Sequence, residues 1–122
     1  MHPITIHVGE LTFEAELNDT GVAEAVREAL PLEGQGRFWG DEIYFSIPVR
    51  VENEDATTDL DVGDLAYWPG GNAFCIFYGP TPASADGSPV PASPVTVIGR
   101  VKNDAEKLKD AGRADVRVES AS

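Results

Sequence analysis

Cysteine occurs once in this chain, at Cys75, so no internal disulfide can form and a reducing compartment is the natural setting. Lysine is confined to Lys102, Lys107 and Lys109, and the 9 basic residues face 21 acidic ones, for a net charge of -12. So negative a surface repels phosphate backbones and anionic lipid heads, which excludes nucleic acid and membrane surfaces as partners and leaves cationic or neutral ligands. Acid excess with few lysines also suits a salt-rich cytoplasm, where self-repulsion is screened. No apolar run approaches bilayer-spanning length, and the opening Met1-His2-Pro3-Ile4-Thr5-Ile6-His7 lacks both a basic n-region and an unbroken apolar h-region. A soluble cytoplasmic protein is expected. Its 122 residues predict a single domain, 1–122, large enough to bury roughly two-thirds of its unfolded surface around one core.

The longest aromatic and apolar run is Gly63 to Gly79, interrupted only by Pro69-Gly70-Gly71. It reads as two core strands joined by a tight turn. Upstream, Ile4, Ile6 and Val8 alternate on one face, and Leu11, Phe13, Ala15 and Leu17 do so after Gly9-Glu10, which predicts a hairpin with glycine first in a two-residue loop. Asn18, Asp19 and Thr20 offer N-cap oxygens to a three-turn helix carrying Val22, Val26 and Leu30, with Ala25 and Ala29 beside them, until Pro31 stops it. Gly34 and Gly36 suggest a loose connection. Phe38-Trp39-Gly40 then leads into Asp41 to Pro48, where Ile43, Tyr44, Phe45 and Ile47 read as a strand buried on both faces, and Val49 to Val51 as a short further strand.

Gly79 to Pro94 contains five of the nine prolines. It reads as a stiff surface loop, with a flap over a groove as the sharper alternative. Val95, Val97 and Val101 predict a strand with a bulge or close contact at Gly99. Asn103 or Asp104 can cap a short helix carrying Ala105, Leu108 and Ala111, with Gly112 as its left-handed stop, and Val116 and Val118 mark a terminal strand. About eight short strands with two helices and no repeated βαβ unit predict a mainly β fold, a closed or nearly closed antiparallel eight-stranded barrel capped by the two helices.

Sites with obvious chemistry are few. Asp59-Leu60-Asp61-Val62-Gly63-Asp64 departs from the calcium-loop pattern at its glycine and its terminal glutamate, and reads as a solvated turn. His2 and His7 lack a ligand set, so no metal is expected, and no cofactor either. Cys75 has no base near it in sequence and reads as a buried thiol. Ser84, Ser88 and Ser93 read as linkage within the proline-rich loop. No residue stands out as catalytic.

Gly71-Asn72-Ala73-Phe74-Cys75-Ile76, followed after a loop by Val97-Ile98-Gly99-Arg100-Val101 and a short acidic-capped helix, resembles the C-terminal half of a cyclophilin-type barrel. More closely, Trp39-Gly40-Asp41-Glu42-Ile43-Tyr44-Phe45, Gly63-Asp64-Leu65-Ala66-Tyr67-Trp68-Pro69 and Phe77-Tyr78-Gly79-Pro80-Thr81-Pro82 are similar to a family of small prokaryotic cyclophilin-like proteins of unknown function. The resemblance runs over nearly the whole chain. Kinship with true cyclophilins implies prolyl isomerisation only if the working side chains are present: a guanidinium on the prolyl nitrogen, an apolar socket for the ring and polar groups on the neighbouring carbonyl. Laid on this chain, the central-strand glutamine falls on Ala73, the socket phenylalanine on Cys75 and the socket histidine near Val95. The arginine falls on or near Glu42, with Arg37 and Arg50 to either side. None of these positions holds the expected residue.

Strand alternation puts Ala73, Cys75 and Phe77 on one face and Phe74, Ile76 and Tyr78 on the other, and the resemblance makes the first set the groove-lining one. Trp39, Glu42, Tyr44 and Trp68 border that groove, with Glu42 suited to select a cation or amide donor. The alternative is that these aromatics simply fill the barrel and cap its ends. The expected function is binding of a small apolar molecule or proline-containing peptide, by a monomer or homodimer. A divergent isomerase is the enzyme alternative. A third is an assembly role in which Trp68 and the loop from Gly79 to Pro94 form a dimer contact.

Overall fold

The computed structural model describes residues 1–121. Among them nine strands form one antiparallel sheet: β1 (His2–Val8), β2 (Leu11–Leu17), β3 (Leu32–Gln35), β4 (Arg37–Phe38), β5 (Glu42–Ser46), β6 (Asp64–Trp68), β7 (Ala73–Phe77), β8 (Thr96–Val101) and β9 (Asp115–Ser120). Their spatial order is β3-β9-β1-β2-β8-β6-β7-β5-β4. The two end strands, β3 and β4, are separated in sequence by Gly36 alone, so the sheet must curl until its edges meet. The result is a nearly closed barrel, as expected, with nine strands where eight were expected.

Each hydrophobic alternation read in the sequence becomes one face of a strand. Ile4, Ile6 and Val8 of β1 and Phe13, Ala15 and Leu17 of β2 point inward, and their hairpin closes on Gly9 at φ +58. Thr20 caps the helix by accepting the Ala23 N–H at 3.1 Å, and helix α1 (Gly21–Glu28) buries Val22, Ala23 and Val26 against the barrel. Each valine so buried contributes about 1.5–3 kcal/mol. The helix is shorter than the predicted three turns. Leu32 must already pair with Val118 of β9, and Pro31, without an N–H, cannot continue the helical ladder into that strand.

Three further expectations are corrected. The glycines at 34 and 36 do not mark a loose connection: Leu32 to Gln35 pair with Val118 to Asp115, and only this partner makes a strand of so polar a segment. Val49 to Val51 form no strand. Their backbone instead hangs on the buried Tyr67 hydroxyl, which donates to the Val49 carbonyl at 2.6 Å and lies 3.5 Å from the Val51 N–H. The second helix is a 3-10 segment, Ala105–Asp110; Asp104 precedes it at φ 58 without a side-chain cap, and its exit at Ala111 is extended, so Gly112 provides no left-handed stop.

The predicted hairpin is formed by β6 and β7, with Trp68 opposite Ala73 and a 3-10 turn over Pro69–Gly71. On β8, Leu65 opposes Gly99 whereas Ala66 opposes Val97, leaving Ile98 as the bulged residue. A Cβ at Gly99 would collide with the Glu16 carbonyl oxygen of β2, so bulge and close approach coincide there. Buried side chains fall into two clusters: a large one inside the barrel, and a second on its outer side made by Leu60, Ala66, Ala73, Cys75, Phe77 and Val95, with Tyr44, Trp68 and Val97 packed against it. Among the described residues no helix is long and apolar enough to cross a membrane.

Candidate functional site

The outer cluster opens into a cleft of about 100 Å³ lined by Trp39, Glu42, Tyr44, Trp68, Phe77, Pro91, Ala92 and Val95. Register explains the convergence. Glu42 and Tyr44 share a face of β5 because they are two residues apart, and Glu42 lies opposite Phe77 on β7. Trp39 joins them through a reciprocal backbone pair, its N–H donating to the Glu42 carbonyl at 2.9 Å and its carbonyl accepting the Glu42 N–H at 3.2 Å.

Trp68 forms the opposite wall. Its ring meets Tyr44 edge-on, centroids 5.9 Å apart and planes at 86°, a geometry that aromatic quadrupoles favour. Behind it the indole lies on the Pro69–Gly71 turn so closely that a Cβ at Gly70 or Gly71 would stand 2.9 Å from ring atoms. Its Nε1–H donates to the Ser93 hydroxyl at 2.7 Å. That bond ties the proline-rich loop to the cleft rim, and Pro91 and Ala92 of the same loop contribute walls.

Glu42 is the one charged lining residue. The residue is only 5 % exposed. Desolvation raises its pKa from 4.5 to about 7, although the Cys75 thiol beside it favours the charged form. The thiol is pushed well above its ordinary value by full burial and by the Glu42 charge, which leaves it unreactive at neutral pH. Tyr78, at the end of β7, is raised to about 12 by burial and by the charges of Asp41 and Glu42.

Of the seven residues predicted to form the groove, Trp39, Glu42, Tyr44, Trp68 and Phe77 line the cleft. Ala73 and Cys75 do not. Both occupy the predicted outward face of β7, yet they are 1 % and 0 % exposed, within the cluster that Leu60 and Val95 complete. Val95, near which the family resemblance sets the socket histidine, is a wall of the cleft, whereas the sequence points to Pro91 and Ala92 only through the flap alternative for the proline-rich loop.

Elsewhere, His7 bonds through Nδ1 to Thr12 Oγ1 and through Nε2 to Glu119 Oε2, each at 3.2 Å, and His2 Nε2 lies 3.0 Å from Ser120 Oγ. In the loop that superficially resembles a calcium site, Asp64 Oδ2 accepts the Asp61 N–H at 2.8 Å, a local turn contact. Among the described residues no group of three or more His, Cys, Asp or Glu is arranged to hold a metal ion.

A family model described as cyclophilin-like matches residues 2–119. Among solved structures, the chain is similar to the solution structure of the hypothetical protein AF2241 from Archaeoglobus fulgidus, with 39% identity and a TM-score of 0.82, covering 98% of this chain and 95% of that one. No curated protein matches the chain.

Proposed function

The chain belongs to the cyclophilin-like family, and from that premise we propose that it is a binding domain whose cleft takes a small apolar molecule or the proline ring of a peptide. The observation that carries this reading is the gathering of both tryptophans of the chain, with Tyr44 and Phe77, around one cavity of about 100 Å³. Drug-sized ligands need pockets of about 300–1,000 Å³, so this one suits a single ring or a short branched group. Burying such a group against four aromatic walls removes apolar surface from water, and the lone carboxyl fixes orientation.

Binding without isomerisation is favoured by what surrounds the cavity. No arginine or lysine is among the described residues that line it. Arg37 lies across the β4–β5 ladder from Tyr44 but is exposed, and Arg50 is exposed as well. A guanidinium on the prolyl nitrogen would have to come from one of these.

Tryptophan fluorescence tests the reading, because Trp39 and Trp68 both report from the cleft. Titration with cyclopentanol, tetrahydrofuran and an Ala-Pro peptide is expected to give a saturable change with at least one of them. Trp68→Ala should weaken that ligand at least tenfold. Emission that stays unchanged up to millimolar concentrations of all three would refute the proposal.

A further inference from the structure

We propose that the ligand of this cleft is a small organic ammonium ion, a protonated cyclic or N-alkylated amine whose carbon skeleton lies among Trp39, Tyr44, Trp68 and Phe77 and whose N–H meets the Glu42 carboxylate. The inference rests on the binding role proposed above and names the chemistry of the occupant. Glu42 is buried to 5 % exposure, and no ion pair to it exists among the described residues, although eight pairs between other groups do. A carboxylate withdrawn from water and left without a cation is costly, so a cation supplied from solution gains the charge compensation that no ion pair among the described residues provides.

The walls point the same way. Faces of tryptophan, tyrosine and phenylalanine attract cations through their quadrupoles, tryptophan most strongly, and an aromatic box beside a carboxylate is suited to alkylated ammonium groups. The net charge of -12 adds a long-range field that draws cations toward the molecule. The cavity of about 100 Å³ limits the occupant to one small ring or a few methyl groups.

Few other ionisable groups face this carboxyl. From β7 comes the Cys75 thiol behind it, from the residue just past that strand the Tyr78 hydroxyl, and from its own turn Asp41, which pairs with Lys109 at 3.7 Å. Arg37 of β4 stands one ladder step away, beyond Tyr44. The proline-rich loop contributes Pro91 and Ala92, and Val95 follows it; none of the three titrates. Ammonium binding therefore competes chiefly with the proton on Glu42, whose pKa near 7 places that competition at neutral pH.

The test compares pyrrolidinium chloride, which keeps its charge throughout, with neutral cyclopentanol at pH 6 and pH 8. Pyrrolidinium is expected to bind more tightly than cyclopentanol at pH 8 and to lose about tenfold in affinity at pH 6. In Glu42→Gln the affinity should be weak and flat with pH. Calorimetry of the unmodified protein gives a second readout: pyrrolidinium should displace about half a proton at pH 7, seen as a heat that depends on the buffer. If cyclopentanol binds as well as pyrrolidinium, or if pyrrolidinium binds without pH dependence or proton release, the ammonium assignment is overturned and the apolar cleft stands. If neither they nor the other probes bind, the binding role falls with it.

Discussion

Glu42 holds a carboxyl in a setting that opposes its charge, and this has a direct consequence for stability. Its pKa is ordinarily 4.5 and is about 7 in the fold, so between those values the folded chain keeps a proton that the unfolded chain releases. The sign is that of a raised acid: the contribution of this group is most favourable below about pH 4.5, declines as pH rises to about 7, and is constant above. A shift of this size corresponds to about 3 kcal/mol, which solvent screening at the cleft wall reduces to about 2 kcal/mol. Glu42→Gln, which removes the charge and keeps the shape, should therefore be more stable than the parent by about 2 kcal/mol at pH 8 and nearly equal to it at pH 4.5. Denaturant unfolding at both pH values checks this, and equal stability at pH 8 would contradict a desolvated carboxylate. Period-2 alternation was enough to place Glu42 and Tyr44 together in the sequence. It also put Ala73 and Cys75 on the correct face of β7, but it could not reveal that Leu60, thirteen residues before Ala73, takes part in burying that face.

At the scale of elements, strands announced themselves wherever their own side chains formed a buried face. The hairpins β1–β2 and β6–β7 were legible for that reason, as was β9. β3 was not, because Leu-Glu-Gly-Gln has one inward apolar residue and owes its extended form to β9. The 3-10 segment after Asp104 reads in the sequence as a short capped helix, since its apolar spacing of Ala105 and Leu108 fits both helical geometries. Gly99 was correctly singled out, and its neighbours give the reason: the β8 bulge at Ile98 and the approach of the Glu16 carbonyl occupy the same place. Gly99→Ala should cost about 2–3 kcal/mol, because the methyl group can be accommodated only by pushing β2 and β8 apart. A urea midpoint equal to that of the parent would show that these strands are not so closely apposed.

For the molecule as a whole, near-closure of the barrel is what creates the cleft. The inner face of the curled sheet is consumed by the main core, while on the outer face the 52–61 loop and the proline-rich loop cover β6 to β8 incompletely. The gap they leave is the aromatic cavity with Glu42 at its wall. Sequence patterning conveyed a barrel of many short strands, although β3, which pairs with β9 at one end of the sheet, was not legible in it. It conveyed the cleft only in part, because the contribution of Pro91 and Ala92 depends on where a sixteen-residue loop settles, and here Trp68 and Ser93 settle it.

The most direct measurement is an amide and indole NMR titration with pyrrolidinium and an Ala-Pro peptide. The two indole N–H signals, Trp39 and Trp68, are expected to shift along a single isotherm together with the amides of Glu42 and Phe77, while those of His7 and Arg117 on the β1–β9 side stay fixed. Shifts centred on His7, Glu33 and Arg117, or none at the indoles, would contradict binding in the cleft.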